Sequence, residues 1–328
     1  MSTSDRNGRT WALVLAAGDG TRLRELTTRN GIATPKQFCS LRGRSSLLGD
    51  ALARAARCVP RKRVLVVVAE GHRRFWEREL ADLPPDNVIV QPENRGTAPG
   101  ILLPLMHVLE RDPEARIAIL PSDHFVEREH VVAESLRLAL GSLEEDTGSV
   151  TLLGITPDAP ETGYGWIVPR RTSSLLAPVE RFVEKPDAQG ASALFSAGAL
   201  WNSFLLAARG PALLELFRER LPSLLSGFQD AFGRRSERQA RLAELYVELG
   251  TSDFSRDLLQ ESAARLRLAV VPPCGWTDLG TPERVAQCLR TLGDVGPGVQ
   301  PDAPGRRAAG SLDLALAVRR MRAAMTTA

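Results

Sequence analysis

The stretch Trp11-Ala-Leu-Val-Leu-Ala-Ala-Gly-Asp-Gly-Thr-Arg-Leu23 passes from a short apolar run directly into a glycine turn, and its reading decides the fold. Arg6 and Arg9 before an apolar run imitate a secretory leader, but no polar cleavage region follows, so the run reads as a buried first strand of a cytoplasmic protein. Comparable apolar, β-branched runs recur at Val64–Ala69, Val88–Val90, Ile117–Leu120 and Val150–Leu153. Between them, helical periodicity marks Ser46–Cys58, His72–Leu80, Thr97–Glu110 and His130–Leu143. Strand and helix alternate, which predicts an α/β fold with a mostly parallel central sheet and helices on both faces. Ligands of such sheets bind outside the carboxyl ends of the strands. The loops after Ala16, Val90 and Leu120 are therefore the ones to search.

From about Gly163 the pattern changes to shorter strand candidates, Trp166–Pro169 and Val179–Val183, and to helices around Pro211–Arg220 and Arg234–Leu249. This half is expected to form a lid or wall over the sheet. A last strand, Leu266–Val271, precedes Pro272-Pro-Cys-Gly-Trp-Thr-Asp-Leu-Gly280 and a helix starting near Pro282. One domain over 1–290 follows, with a first part of about 10–160 and a second of about 161–290. A Pro/Gly-rich linker over 291–310 and an amphipathic C-terminal helix over 311–328 complete the chain.

A chain of 328 residues, 43% hydrophobic and 25% charged, can bury a full core. Its net charge of +3 and 5% aromatic content argue against a nucleic-acid groove or a stacking platform. No apolar stretch approaches the ~18–20 residues of a membrane helix. Cys39, Cys58, Cys274 and Cys288 form no CxxC pair and none has histidine at zinc-ligand spacing, so buried, reduced thiols are expected. Of 42 basic residues only Lys36, Lys62 and Lys185 are lysines. In so arginine-rich a chain, a retained lysine suggests a need for a compact ammonium rather than a planar fork. Lys62, inside Arg61-Lys-Arg63, reads as a solvated charge run.

The glycines of Ala17-Gly-Asp-Gly-Thr-Arg22 let backbone N–H groups converge on an anion. The turn is not a Walker A loop, and Leu23 stands where a dinucleotide fingerprint needs its third glycine. Arg22 and Lys36 nearby would offset the charge of a triphosphate. Gln91-Pro-Glu-Asn-Arg-Gly-Thr-Ala-Pro99 is either a helix start capped by Asn94 or Thr97, or a base- and ribose-recognition segment using Glu93, Asn94, Arg95 and Thr97. Asp123 in Leu120-Pro-Ser-Asp-His124 and Asp278 in Gly275-Trp-Thr-Asp-Leu-Gly280 each follow a strand. Singly each reads as a helix cap; together they suit Mg²⁺, which takes one or two carboxylates plus substrate phosphates. His124 is either an outer partner of that pair or a structural histidine. Thr162-Gly-Tyr-Gly-Trp-Ile167 offers close backbone approach to a ligand or a hairpin turn. Glu184 and Lys185 of Val183-Glu-Lys-Pro186 could receive a sugar hydroxyl and a phosphate, and Asn202 of Trp201-Asn-Ser203 a hydroxyl.

In order, AAGDGTRL, TPKQF, QPENRGTAP, LPSDH, TGYGWI, VEKPD, LWNS and GWTDLG resemble the sugar-1-phosphate nucleotidyltransferases, most closely the mannose-1-phosphate guanylyltransferases, from Leu15 to about Gly280. PENRGTAP with PSDH points to the mannose branch, whereas the glycine loop and VEKP mark the wider superfamily. The resemblance implies a Rossmann-like nucleotidyltransferase fold with a sugar-binding lid region, using Mg²⁺, GTP and a sugar 1-phosphate and releasing pyrophosphate. Position by position, it makes Arg22, Lys36 and Lys185 the catalytic cations and Asp123 with Asp278 the metal pair. Ala16, Ala17, Gly18, Asp19, Gly20 and Thr21, with Glu93, Asn94, Arg95 and Thr97, would bind the nucleotide. Tyr164, Gly165, Glu184 and Asn202 would hold the sugar phosphate.

Several positions depart from the family pattern. The family usually has two glycines where Ala17-Gly18 stand, an aromatic and a proline at Arg24-Glu25, a shorter path from Arg22 to Lys36, and a glycine at Phe204. The added segment from Leu23 to Pro35 is expected to reshape the triphosphate pocket, and Phe204 to narrow the sugar pocket. Alternatives are a cytidylyltransferase, which shares the AAG loop and PKQF but lacks PENRGTAP and VEKP, a different nucleotide or sugar, or a catalytically silent nucleotide-sugar-binding subunit. Neither nucleic acid nor membrane is an expected partner, and a homodimer is compatible with the sequence.

Overall fold

β1 (Thr10–Ala16) lies inside a nine-stranded sheet because both its faces are apolar. Ala12, Val14 and Ala16 enter one core and Trp11 and Leu13 the other, as the two-residue period of a strand requires. The structure, a computed structural model, describes residues 9–41, 43–172, 174–294 and 312–318. The strands after β1 are β2 (Thr28–Arg29), β3 (Ile32–Ala33), β4 (Val64–Ala69), β5 (Val88–Gln91), β6 (Arg116–Pro121), β7 (Val150–Ile155), β8 (Gly165–Pro169), β9 (Leu176–Glu184), β10 (Leu200–Arg209) and β11 (Leu266–Val270). The longer helices are α1 (Leu47–Ala56), α2 (Thr97–Arg111), α3 (Glu129–Ser142), α4 (Ala188–Ser196), α5 (Gly210–Arg220), α6 (Pro222–Gly233), α7 (Arg238–Glu248) and α8 (Pro282–Asp294).

The order across the large sheet is β5-β4-β1-β6-β10-β7-β11-β9-β8, with β2 and β3 forming a separate hairpin. β5, β4, β1 and β6 are parallel; β10 is antiparallel to β6 and β7, and β9 to β11 and β8. One sheet thus spans both halves of the expected domain. α1 and α3 cover the face of Val14, Val66 and Leu120; α2, α5 and α6 cover that of Leu13, Leu65 and Ile117. Burying each such side chain contributes roughly 1.5–3 kcal/mol. From β1 the chain moves out through β4 to β5, then returns to place β6 on the other side of β1. That reversal opens a crevice between the loops after β1 and β6.

Three expectations need correction. β10 was not anticipated: Asn202 and Ser203 interrupt its apolar residues, and the run beyond Phe204, Leu205-Leu-Ala-Ala208, is buried on both faces and shows no alternation. Its reversed direction makes the sheet mixed. His72–Leu80 is not one helix but a single turn, Arg73–Trp76, because the Trp76 indole donates to the Ala69 carbonyl (2.9 Å) and pins the segment to the end of β4. Residues 291–294, expected in the linker, belong to α8, which runs through Gly293 to Asp294; residues 295–310 lie outside the described residues.

Of the expected C-terminal helix, residues 314–318 are helical, while 311 and 319–328 lie outside the described residues. Its partner is within the chain. Leu314 and Val318 are buried against Leu23, Leu26, Leu41, Leu279 and Val285, and Ser40 pairs with Asp313 in a parallel bridge. All four cysteines are buried and unpaired by disulfide, as expected. Among the described residues, no helix is long and apolar enough to cross a membrane.

Candidate active site

The site grows out of the crevice beside β1. Gly20 sits in the left-handed region at φ 61°, and a Cβ there would stand 2.9 Å from the Lys36 backbone nitrogen, so the turn can pack on the lysine segment only as glycine. Gln37 fixes the same contact from the other side, donating to the carbonyls of Ala16 (2.9 Å) and Gly18 (2.8 Å). Phe38 anchors the segment in the core, stacked on Phe75. The residues added between Leu23 and Pro35 fold back on themselves as the β2–β3 hairpin, whose Asn30-Gly31 turn has positive φ at both positions. Thr34 donates its N–H to the Thr27 carbonyl and closes the excursion (3.0 Å). Lys36 therefore enters the crevice despite the longer path.

Asp123 and Asp278 meet because the loop after β11 is strapped to the loop after β6. Phe125 and Thr277 exchange both backbone hydrogen bonds (2.9 and 3.0 Å). Ser122 ties the β6 loop to β1, donating its hydroxyl to the Leu15 carbonyl (2.6 Å). The Lys36 ammonium lies 2.8 Å from Asp123 Oδ2 and donates to the Asp278 carbonyl. An ammonium has three N–H donors, so one remains. Asp278 Oδ1 accepts from the Tyr164 hydroxyl (2.6 Å) and the Gly280 N–H (2.8 Å), and Oδ2 faces Arg22 at 3.5 Å.

Burial alone would raise the Asp123 carboxyl, but Lys36 and then His124 outweigh it and hold it down at about 2. His124 stays neutral: burial pushes it down to about 4 despite the adjacent carboxylate. Its Nδ1 is buried without a hydrogen-bond partner, and its ring meets Trp276 edge-on at 5.3 Å. Burial raises Glu184, partly offset by Lys185, whose ammonium stands 3.2 Å away. Tyr164 is raised by burial and by the Asp278 charge it faces.

These groups surround a cavity of about 380 Å³. Its walls include Ala17, Gly18, Gly20, Arg22, Asn94 and Thr97 on one side and Tyr164, Gly165, Glu184, Lys185 and Asn202 on the other, with Asp123 and Asp278 between them. A larger groove of about 1100 Å³ runs between α1 and residues 73–83, on the far side of Phe38, and contains neither aspartate nor the glycine turn.

Other expected site residues stand apart. Glu93 and Arg95 pair with each other at 2.8 Å, and Arg95 donates to the Tyr246 carbonyl (2.9 Å), so its guanidinium ties the loop to the end of α7 and does not line the cavity. Asp19 is exposed at the tip of the turn, where it accepts from Asn94 (3.0 Å) and lies 3.5 Å from His72. Ala16 is buried as the last residue of β1, and Thr21 is exposed. Neither Asn94 nor Thr97 caps α2: the N-cap is Gly96, whose N–H Asn94 accepts (3.0 Å), while the Thr97 hydroxyl accepts from Phe254 N–H (2.7 Å).

Sequence reasoning missed Gln91 and Asp253. Gln91 is 1% exposed, lines the cavity, and leaves its amide oxygen without a partner. It heads the QPENRGTAP segment, where its place at the carboxyl end of β5 was the available signal. Asp253 arrives from a segment with no motif. Two non-glycine residues of the wall, Lys185 (φ 46°) and Phe204 (φ 59°), hold left-handed backbone, a strain on the order of 1–3 kcal/mol each.

A doubly wound sheet with a glycine turn, three cations and two carboxylates at its switch point defines a nucleotide-handling α/β protein. The family described as nucleotidyl transferase matches residues 11–293, and the chain belongs to that family. The chain is 33% identical over 276 residues to the xanthan biosynthesis protein XanB of Xanthomonas campestris pv. campestris, covering 82% of this chain and 57% of the relative. It is 30% identical over 298 residues to the mannose-1-phosphate guanylyltransferase ManC of Salmonella typhimurium, covering 84% and 58%. The chain thus spans little more than half the length of these relatives. A crystal structure from Thermus thermophilus, described as a mannose-1-phosphate geranyltransferase, superposes with a TM-score of 0.72 at 31% identity, covering 83% of this chain and 76% of that one.

Proposed function

We propose that this protein transfers a guanylyl group from GTP to a sugar 1-phosphate, most closely mannose 1-phosphate, forming GDP-mannose and pyrophosphate. The observation that carries the reading is the meeting of Asp123 and Asp278, 155 positions apart, in the wall of one cavity whose two sides differ in chemistry, with the buried Lys36 ammonium bridging the Asp123 carboxylate and the Asp278 carbonyl behind that wall. No group of three or more His, Cys, Asp or Glu among the described residues could hold a metal by itself, so a Mg²⁺ ion here would take the two carboxylates lining the cavity and complete its shell with substrate phosphates. When bound there, Mg²⁺ supplies charge neutralisation of the triphosphate.

The chain's own groups do the positioning. The turn at Gly18 and Gly20 offers backbone N–H groups to the triphosphate, with Arg22 at the cavity mouth and the buried Lys36 ammonium adding its charge from behind Asp123. The unpartnered Gln91 oxygen is an acceptor for a base N–H, such as the N–H edge of guanine. Glu184 and Asn202 face the sugar hydroxyls and Lys185 the sugar phosphate. An oxygen of that phosphate attacks the α-phosphorus in line; the new P–O bond forms as the α–β bridging P–O bond breaks, and pyrophosphate leaves with the electron pair. The attacking phosphate is already ionised at neutral pH, so no protein base or nucleophile is required, and catalysis rests on orientation and charge stabilisation.

The test is pyrophosphate release from four nucleoside triphosphates, each offered a panel of sugar 1-phosphates with Mg²⁺. GTP with mannose 1-phosphate should lead, and Asp123→Ala should lower its turnover by ~10² or more. Release at the wild-type rate from folded Asp123→Ala would sink the assignment of the carboxylate pair.

A further inference from the structure

Phe204 is the one bulky apolar residue that the wall of the cavity holds in a left-handed backbone conformation. At φ 59° its backbone occupies a region that side chains with a large Cβ substituent avoid. The surroundings enforce it. β10 shifts register between Asn202 and Leu206, the signature of a bulge. Within the bulge, the Phe204 N–H donates to Asn202 Oδ1 (3.1 Å), the Leu205 N–H to Ser203 Oγ (3.2 Å), and the Ser203 hydroxyl to the Leu153 carbonyl (2.6 Å). Asn202 and Ser203 are both buried. The bulge turns the half-buried Phe204 side chain into the cavity, where its ring leans edge-on against the fully buried Phe254 at 6.3 Å.

Its neighbours identify the end of the cavity it shapes. Gly165 pairs with Glu184 across β8 and β9, and a Cβ on Gly165 would stand 2.6 Å from Glu184 Oε2 and 3.3 Å from Asn202 Cβ. Gly165, Glu184 and Asn202 are therefore contiguous, and Phe204 stands two residues beyond Asn202. We propose that Phe204 is a specificity-determining residue of the sugar subsite, a fixed apolar wall that admits unsubstituted hexose 1-phosphates and excludes those carrying a bulky ring substituent such as an acetamido group. This rests on the nucleotidyltransferase reading above. The C–H groups of a pyranose present an apolar face that an aromatic ring covers, whereas an acetamido group directed at the ring meets a wall that cannot retreat, because the bulge and Phe254 hold it.

The experiment uses the full chain, wild type beside Phe204→Gly and Phe204→Asn, two residues that accept left-handed backbone. Pyrophosphate release with GTP is measured against mannose 1-phosphate, glucose 1-phosphate and N-acetylglucosamine 1-phosphate, and folding is checked by thermal melting. In both variants the ratio of kcat/KM for the acetamido sugar to that for the best unsubstituted hexose should rise at least about 10-fold. An unchanged ratio in either variant melting within a few degrees of wild type overturns the wall. A wild-type chain silent with every sugar overturns the nucleotidyltransferase reading instead, and the inference with it.

Discussion

Lys36→Met removes the ammonium that joins the two aspartates while keeping most of the aliphatic stem. At an effective dielectric of about 20, charges 2.8 Å apart attract by roughly 6 kcal/mol, and desolvation of the two ions opposes most of that. Lys36 is buried but Asp123 keeps about a third of its side chain in solvent, which screens the orphaned carboxylate. A net loss of about 2–3 kcal/mol follows, below the roughly 3–5 kcal/mol of breaking a fully buried pair. In a domain of this size that lowers Tm by about 3–5 °C. Turnover should fall by ~10² or more through loss of one charge stabiliser. The two readouts are thermal unfolding at pH 7 and pyrophosphate release at saturating substrates, with Lys62→Met as the control for loss of an exposed lysine. The Asp123 carboxyl is held below its ordinary value, so the pair's stabilisation is present above about pH 4 and fades as pH falls toward 2; the difference in Tm should shrink over that window. A variant that melts with the wild type at pH 7 and keeps full turnover refutes the role assigned to this lysine.

Gly20→Ala should cost about 1–2 kcal/mol for the left-handed backbone, and should also lower turnover because its Cβ displaces the Lys36 segment; melting and pyrophosphate release check both. Tyr164→Phe deletes the donor that orients Asp278, so the Mg²⁺ concentration for half-maximal rate should rise about 10-fold or more, and Mg²⁺ binding followed by calorimetry should weaken in parallel, with little change in kcat at saturating metal. Burial, then Arg238 and Arg111, push His107 down to about 4. The unfolded chain takes up that proton near pH 6.5 and the folded chain does not, so stability should decline from about pH 6.5 to 4, and His107→Phe should flatten the decline in melting temperature.

The parallel half of the sheet was legible because each of its strands is a short, β-branched run bounded by turn residues, and because β1 flows into its glycine turn. β10 was hidden by the same burial that makes it central. At the site, Asp123, Asp278, Lys36 and Arg22 all stand in segments that follow strands, and each sits in a motif that marked it as a candidate. Arg95 could not: whether a guanidinium in a loop faces a ligand or a carbonyl depends on what packs beneath it, here the end of α7. Gln91 escaped because an amide at a strand end has no motif of its own, and its meaning lies in an oxygen that finds no partner. The added segment after Leu23 carries a local signal of its own, the Asn30-Gly31 turn of a hairpin that returns to its starting point.

The pairing of Phe125 with Thr277 has a bearing on how the protein matures. The aspartates come together only after β6, β10, β7 and β11 lie side by side, so the centre depends on contacts among the most distant in the chain. Such contacts bear the largest loop-closure cost and form late. During refolding, the return of activity should therefore trail the return of helix and sheet, which makes turnover a clock for the last long-range closure.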